Sequence, residues 1–114
     1  MSFVKQKNIG FDLVEVVRFK RIGKNAPFFK KVFRERERRH CRSYKNPSPH
    51  FAGIFAAKEA ASKALGVKKF PFSSIEIRHD SSGKPEVWFK GKRIKSAAVS
   101  ISHTNTMAGA VVMI

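Results

Sequence analysis

The chain predicts an α+β domain, and three observations carry that prediction. An early apolar run, IGFDLVEV, alternates with strand period. Two or three helical segments follow, ending in the Ala-rich FAGIFAAKEAASKAL. The last third reads as strand pairs around short polar loops. At 114 residues the chain fits one domain spanning 1–114. With 42% hydrophobic residues and eleven Phe it has enough apolar material to fold.

In the first element Ile9, Phe11 and Leu13 share one strand face, while Gly10, Asp12, Val14 and Val16 share the other. A short basic stretch, VRFKRIGKN, follows. Pro27 opens FFKKVFRERERRH, where Phe28 and Val32, and Phe29 and Phe33, recur at four-residue spacing. That predicts one helix with a basic outer face. Pro47 and Pro49 punctuate SYKNPSPHF. The helix over 51–65 is expected to bury Ile54, Ala57, Ala61 and Leu65, to stop at Gly66, and to let other backbone approach its small residues closely. Lys68, Lys69 and PFSS read as a loop. IEIRH and EVWFKG flank DSSGKP as a hairpin, and AAVSIS and AGAVVMI flank HTNTM as a second strand pair. Trp88 and most Phe side chains are expected in the core.

Charge bounds the partners. Twenty-four Lys and Arg against eight Asp and Glu give +16, which favours association with a polyanion. Eleven of the basic residues lie between Arg18 and Arg42. No run approaches the ~18 apolar residues of a membrane span, and MSFVKQKN lacks the apolar core of a secretory signal. The lone Cys41 can form no internal disulfide and has no companion at zinc-ligand spacing, so a cytoplasmic, reducing setting is expected.

Against so basic a background two acids stand out. Asp12 lies between Phe11 and Leu13, where a carboxylate must be solvated, paired or bound to a cation. Glu59 and Lys63 are spaced for an ordinary helix salt bridge, worth roughly 0.2–0.5 kcal/mol. Taken together, Asp12 and Glu59 supply the one or two carboxylates that Mg²⁺ usually takes alongside substrate phosphates. Lys63 would then reach a phosphate. Lys84 sits in DSSGKP, which reads as a turn before it reads as a phosphate contact, because no P-loop glycine spacing is present. His103 ends a strand among Ser100, Ser102 and Thr104, a set that serves either as structural hydrogen-bond partners or as an anion cradle. His40, His50 and His79 have no helpful neighbours in sequence and receive no role.

Four blocks in order resemble the holo-acyl-carrier-protein synthase family of 4′-phosphopantetheinyl transferases. IGFDLVEVVRF is similar to its GIDxVEIxRF signature, and FAGIFAAKEAASKALG to its FAxRFAAKEAxxKALG signature. SIEIRHDSSGKPEV and VSISHTNTMAGAVVMI match its third and fourth blocks. The resemblance implies a 4′-phosphopantetheinyl transferase-like fold, a mainly antiparallel sheet packed with a long helix and shorter helices. It implies Mg²⁺-dependent transfer of 4′-phosphopantetheine from coenzyme A to a serine of acyl carrier protein, in fatty acid biosynthesis. By position Asp12 and Glu59 match the metal-binding acids, and Lys63 the lysine near the phosphates. Lys58, His103 and Thr104 match positions near the nucleotide of coenzyme A. Arg18, Lys20, Arg21 and Lys24 fall on the basic helix that grips the acidic carrier protein. A homotrimer with active sites between subunits is also implied. The chain departs from the pattern at Ile54, where the family commonly has Arg; the basic segment Arg34 to Arg42 is the candidate replacement. The competing class is a small basic, non-enzymatic nucleic-acid- or ribosome-binding domain. It suits +16 but leaves Asp12 and Glu59 without a purpose, and no nucleic-acid-binding signature is present.

Overall fold

The computed structural model describes residues 8–67 and 72–114. Lys68, Lys69 and Pro71 of the expected loop, and most of MSFVKQKN, lie outside the described residues. In chain order the elements are β1 (Ile9–Glu15), α1 (Val17–Lys20), α2 (Pro27–Val32), α3 (Glu35–Arg42), α4 (Ser48–Leu65), β2 (Ile75–His79), β3 (Pro85–Phe89), β4 (Lys92–Arg93), β5 (Ala98–His103) and β6 (Met107–Met113). They form two antiparallel sheets, ordered β1-β6-β5 and β2-β3-β4. The α+β prediction and the antiparallel strand pairs are borne out.

Helix α4 packs across β1 and β6. The contact is backbone on backbone: a Cβ added to Gly10 would lie 1.9 Å from the carbonyl oxygen of Ala60. Only a residue without a side chain fits there. Gly66 ends α4 in the left-handed conformation, at φ 71°, as its place after the Ala-rich run predicts. The expected buried stripe is wider than a stripe. Every residue from Phe51 to Lys58 is buried, as are Ala60, Ala61, Ser62 and Ala64, while Leu65 is only half-buried. The helix is enclosed on nearly every side, and Glu59 and Lys63 mark where it opens to solvent.

The single helix expected from Phe28 to His40 is two. Phe33 and Arg34 are extended, which separates α2 from α3. The break lets Phe33 turn fully inward while Glu37, one turn into α3, accepts a 2.9 Å hydrogen bond from the Arg34 amide. Phe19, Phe28, Phe29, Phe33, Phe51 and Phe55 then form one aromatic cluster, with centroids as close as 4.7 Å for Phe29–Phe51 and 4.9 Å for Phe33–Phe51. With Phe72 and Phe89 packed against it, eight of the eleven Phe are in or against the core, as expected. Trp88 is not. It is half-buried on the second sheet, with the Arg78 guanidinium 3.8 Å from its ring centre.

Candidate active site

The Gly10–Ala60 contact fixes how close β1 lies to α4, and so brings Asp12 to Glu59. Asp12 occupies the helix-facing side of its strand, and its side chain is 13% exposed. Its Oδ2 is buried and has no hydrogen-bond partner among the described residues. A buried carboxylate oxygen without a donor is costly, and a proton shared with a neighbouring acid or a bound cation relieves it. The Glu59 carboxyl is pushed up to about 7. Burial is the largest cause, followed by a hydrogen bond to Asp12 and by the Asp12 charge; Lys63 and Arg18 act in the opposite sense. Two acids close enough to share a proton, one with a free oxygen, make a donor set for a hard divalent cation.

Lys63 does not take the helix salt bridge with Glu59. Its Nζ lies 3.4 Å from Asp12 Oδ1 and donates to the Phe11 carbonyl at 3.0 Å. The lysine is mostly exposed, so its ammonium stands at the open edge of the carboxylate pair.

Lys58 corrects the expectation. Its side chain is fully buried and cannot touch a nucleotide. Nζ donates to Glu37 Oε1 at 2.7 Å and to the Val32 carbonyl at 2.8 Å. Glu37 Oε2 in turn accepts the Ile77 amide at 2.8 Å. Burial pushes Glu37 up and Lys58 down, and each is held back by the charge of the other. This pair ties α3, α4 and β2 together. Sequence reading missed Glu37; the one available signal was an acid at the first turn of a helix inside a run of arginines.

Ser102, His103 and Thr104 lie together at the end of β5. They line a shallow depression of about 360 Å³ with Phe11 and Leu13. The Thr104 hydroxyl accepts from the Met107 amide at 3.1 Å and the Thr106 amide at 3.3 Å, so it holds the turn into β6. Lys84 belongs to a turn organised by Asp80, whose Oδ1 accepts from the Ser82 amide at 2.8 Å and the Lys84 amide at 3.0 Å. Asp80 is held below the usual carboxylate range chiefly by its hydrogen bond from the Ser82 side chain. The turn reading of DSSGKP is what forms.

The short basic stretch after β1 is a four-residue helix and a turn, so Arg18 and Lys20 are on the helix, Arg21 caps it and Lys24 lies in the turn beyond. Arg18 stands near Glu59, with Cζ 5.7 Å from the Phe55 ring centre. Arg21 is exposed where α1 ends. Lys20 and Lys24 rim a groove of about 540 Å³ together with Arg42 and Lys45, over an apolar floor that includes Phe19, Ile22 and Phe51. A basic rim over an apolar floor suits an acidic protein surface.

A model of the 4′-phosphopantetheinyl transferase superfamily matches residues 8–112. The chain belongs to that superfamily. The holo-[acyl-carrier-protein] synthase of Caldanaerobacter subterraneus subsp. tengcongensis is 45% identical over 114 aligned positions, which cover 90% of each chain. The Bacillus anthracis holo-(acyl-carrier-protein) synthase, solved in complex with CoA (3′,5′-ADP), matches with a TM-score of 0.76 at 35% identity over 93% of each chain. The Helicobacter pylori enzyme, solved with coenzyme A, matches with a TM-score of 0.78 at 32% identity, over 91% of this chain and 96% of that one. The fold of these phosphopantetheinyl transferases is the fold found here, and the family named by the four sequence blocks is borne out. No helix among the described residues is long and apolar enough to cross a membrane.

Proposed function

We propose that this chain is a cytoplasmic, Mg²⁺-dependent transferase. It moves 4′-phosphopantetheine from coenzyme A to a serine of an acidic apo-acyl carrier protein, in fatty acid biosynthesis. The carrier serine oxygen forms a bond to the phosphorus bearing pantetheine. The bond from that phosphorus to the bridging pyrophosphate oxygen breaks. Adenosine 3′,5′-bisphosphate leaves, and the serine proton is lost.

The observation that carries this reading is the Asp12–Glu59 pair, with its unpartnered Asp12 oxygen, in a phosphopantetheinyl transferase fold. Asp12 and Glu59 fit Mg²⁺ and would hold it. When bound, such a cation neutralises pyrophosphate charge and polarises the attacked phosphorus. Without it, Glu59 keeps a proton near neutral pH and must release it on loading. Lys63, at the open edge of the pair, offsets charge on the departing phosphate. No nucleophile is needed from this chain, since the serine comes with the partner.

The carrier protein docks on Arg18, Lys20, Arg21 and Lys24. A homotrimer is supported by an apolar strand face left bare on one copy. Ile9, Phe11 and Leu13 are 64%, 56% and 58% exposed, beside Ser102 and His103. Covering that face with a second copy would place the β5 end of one subunit at an interface.

The test is direct. The chain is incubated with coenzyme A, Mg²⁺ and an apo-carrier protein, and the carrier is weighed. A gain of one phosphopantetheinyl group is expected. No gain with any of several carriers, together with tight binding to RNA, would replace this reading with the nucleic-acid-binding class.

A further inference from the structure

All four histidines of the chain, and its one tyrosine, stand in a single row. His79 stacks on His40 with centroids 3.8 Å apart and planes 11° apart. His40 meets Tyr44 edge-on at 5.5 Å, Tyr44 stacks on His50 at 3.5 Å, and His50 meets His103 at 5.0 Å. They arrive from β2, α3, the turn after α3, the first turns of α4, and the end of β5. Among the described residues none of the four rings makes a hydrogen bond to the protein, and none of their nitrogens is both buried and unsatisfied. The ring nitrogens are therefore available to something outside the chain.

They line a cavity of about 390 Å³ whose other walls include Ile54, Gly83 and Ser100. Ile54 is the position at which the family commonly carries a permanent cation. Of the arginines of 34–42, expected to replace it, Arg36 and Arg39 lie on the outer side of His40 and the others bond to backbone carbonyls. Arg34 donates to the Ser73 carbonyl and Arg42 to the Lys24 carbonyl, and no arginine lines the cavity. From that segment it is His40 that reaches it.

We propose that the histidine row is a proton-linked binding site for a phosphate group of the coenzyme A nucleotide, taking over the charge that Ile54 removes. The inference rests on the proposed function and adds a regulatory property to it. Imidazoles are the side chains whose charge changes near neutral pH. His40 and His79 are stacked ring on ring, so a charge on the one opposes protonation of the other. Burial lowers His40, His50 and His79; the charges of His103 and His40 act further on His50, and that of His40 on His79. A phosphate among them relieves that opposition, so binding takes up protons and tightens as pH falls.

The other charges facing the row are few. Asp80 and Glu86 favour protonation of His79, while Arg36, Arg39 and Arg78 flank His40 and His79 on their outer side. Lys84 follows Gly83 and Lys45 follows Tyr44 in the chain. The cavity-lining residues of α4 and β5 other than the two histidines are uncharged.

The experiment is calorimetric titration of adenosine 3′,5′-bisphosphate into the full chain. It is run at about pH 6.5, 7 and 8, in two buffers of different ionisation enthalpy. Net proton uptake is expected, with affinity roughly fivefold tighter at about pH 6.5 than at pH 8. His50→Gln should abolish most of the uptake. His50→Arg, which sets a permanent cation one turn before Ile54, should bind at pH 8 about as tightly as the parent does at pH 6.5. Equal affinity across the range with identical heats in both buffers would overturn the proposal. So would uptake unchanged in His50→Gln, or binding in His50→Arg that still weakens at pH 8. The carrier-weighing assay at pH 8 reports on the function itself, so the two readings fail separately.

Discussion

Lys63 Nζ lies 3.4 Å from Asp12 Oδ1, so the strand acid and the helix lysine are partners and Glu59 is left to share a proton with Asp12. The three groups have separable jobs, and neutralising Glu59 tests this most cleanly. Glu59→Gln keeps the shape and removes the charge. Phosphopantetheinyl transfer should fall by about 10²-fold or more, with the melting temperature unchanged or raised. Activity within twofold of the parent would remove Glu59 from the site.

The state of that carboxyl gives a pH dependence of definite sign. In the cation-free protein Glu59 holds its proton up to about 7, far above the ordinary carboxylate value. Between those values the folded chain binds a proton that the unfolded chain does not, so this group's contribution to stability is present at low pH and is lost as pH rises through about 7. A cation needs the ionised form. Mg²⁺ affinity should therefore climb with pH and level off above about 7, with up to one proton released per ion near pH 6. Calorimetry in two buffers reads the release, and its absence would mean that Glu59 is not a ligand.

The Lys58–Glu37 pair makes a prediction about stability rather than catalysis. Removing one partner strands a buried charge. Lys58→Met should cost about 3–5 kcal/mol in urea unfolding. Adding Glu37→Gln should recover part of that loss, because the amide oxygen can still accept the Ile77 amide. If Lys58→Met instead left stability intact but weakened nucleotide binding, Lys58 would belong to the site after all.

Docking of the carrier protein should depend on the basic rim. Lys20→Glu combined with Lys24→Glu should raise KM for the carrier about tenfold, leave kcat nearly unchanged, and flatten the dependence of KM on salt. A change confined to kcat would show that these lysines do not dock the partner.

The bare strand face predicts assembly. Light scattering should report three copies for the parent chain and one for Leu13→Lys, with activity falling in step. A monomeric parent with full activity would remove the need for a partner copy.

Much of this was legible in the sequence because it is written at short range. Strand alternation put Asp12 on the opposite face from Phe11, glycine marked the end of α4, and the turn residues of DSSGKP marked the β2–β3 connection. The candidate pair could be picked out too, since only eight acids stand against twenty-four cations and Asp12 lies in an apolar run. What escaped was set by long-range packing. Phe29 and Phe33 sit at helical spacing, yet the backbone breaks beside Phe33 so that both Phe33 and Glu37 can turn inward. Lys58 matches a motif position, but which way it points depends on Glu37, far away on α3. The histidines are scattered along the chain and meet only when four elements converge.

Lys58 and Glu59 are consecutive on α4, and consecutive residues point about 100° apart around a helix axis. One is held inside by Glu37 and the other faces Asp12. The buried pair therefore acts as a rotational lock: α4 cannot turn about its own axis without breaking it. The direction of the Glu59 carboxylate is thus settled during folding, before any cation or substrate arrives.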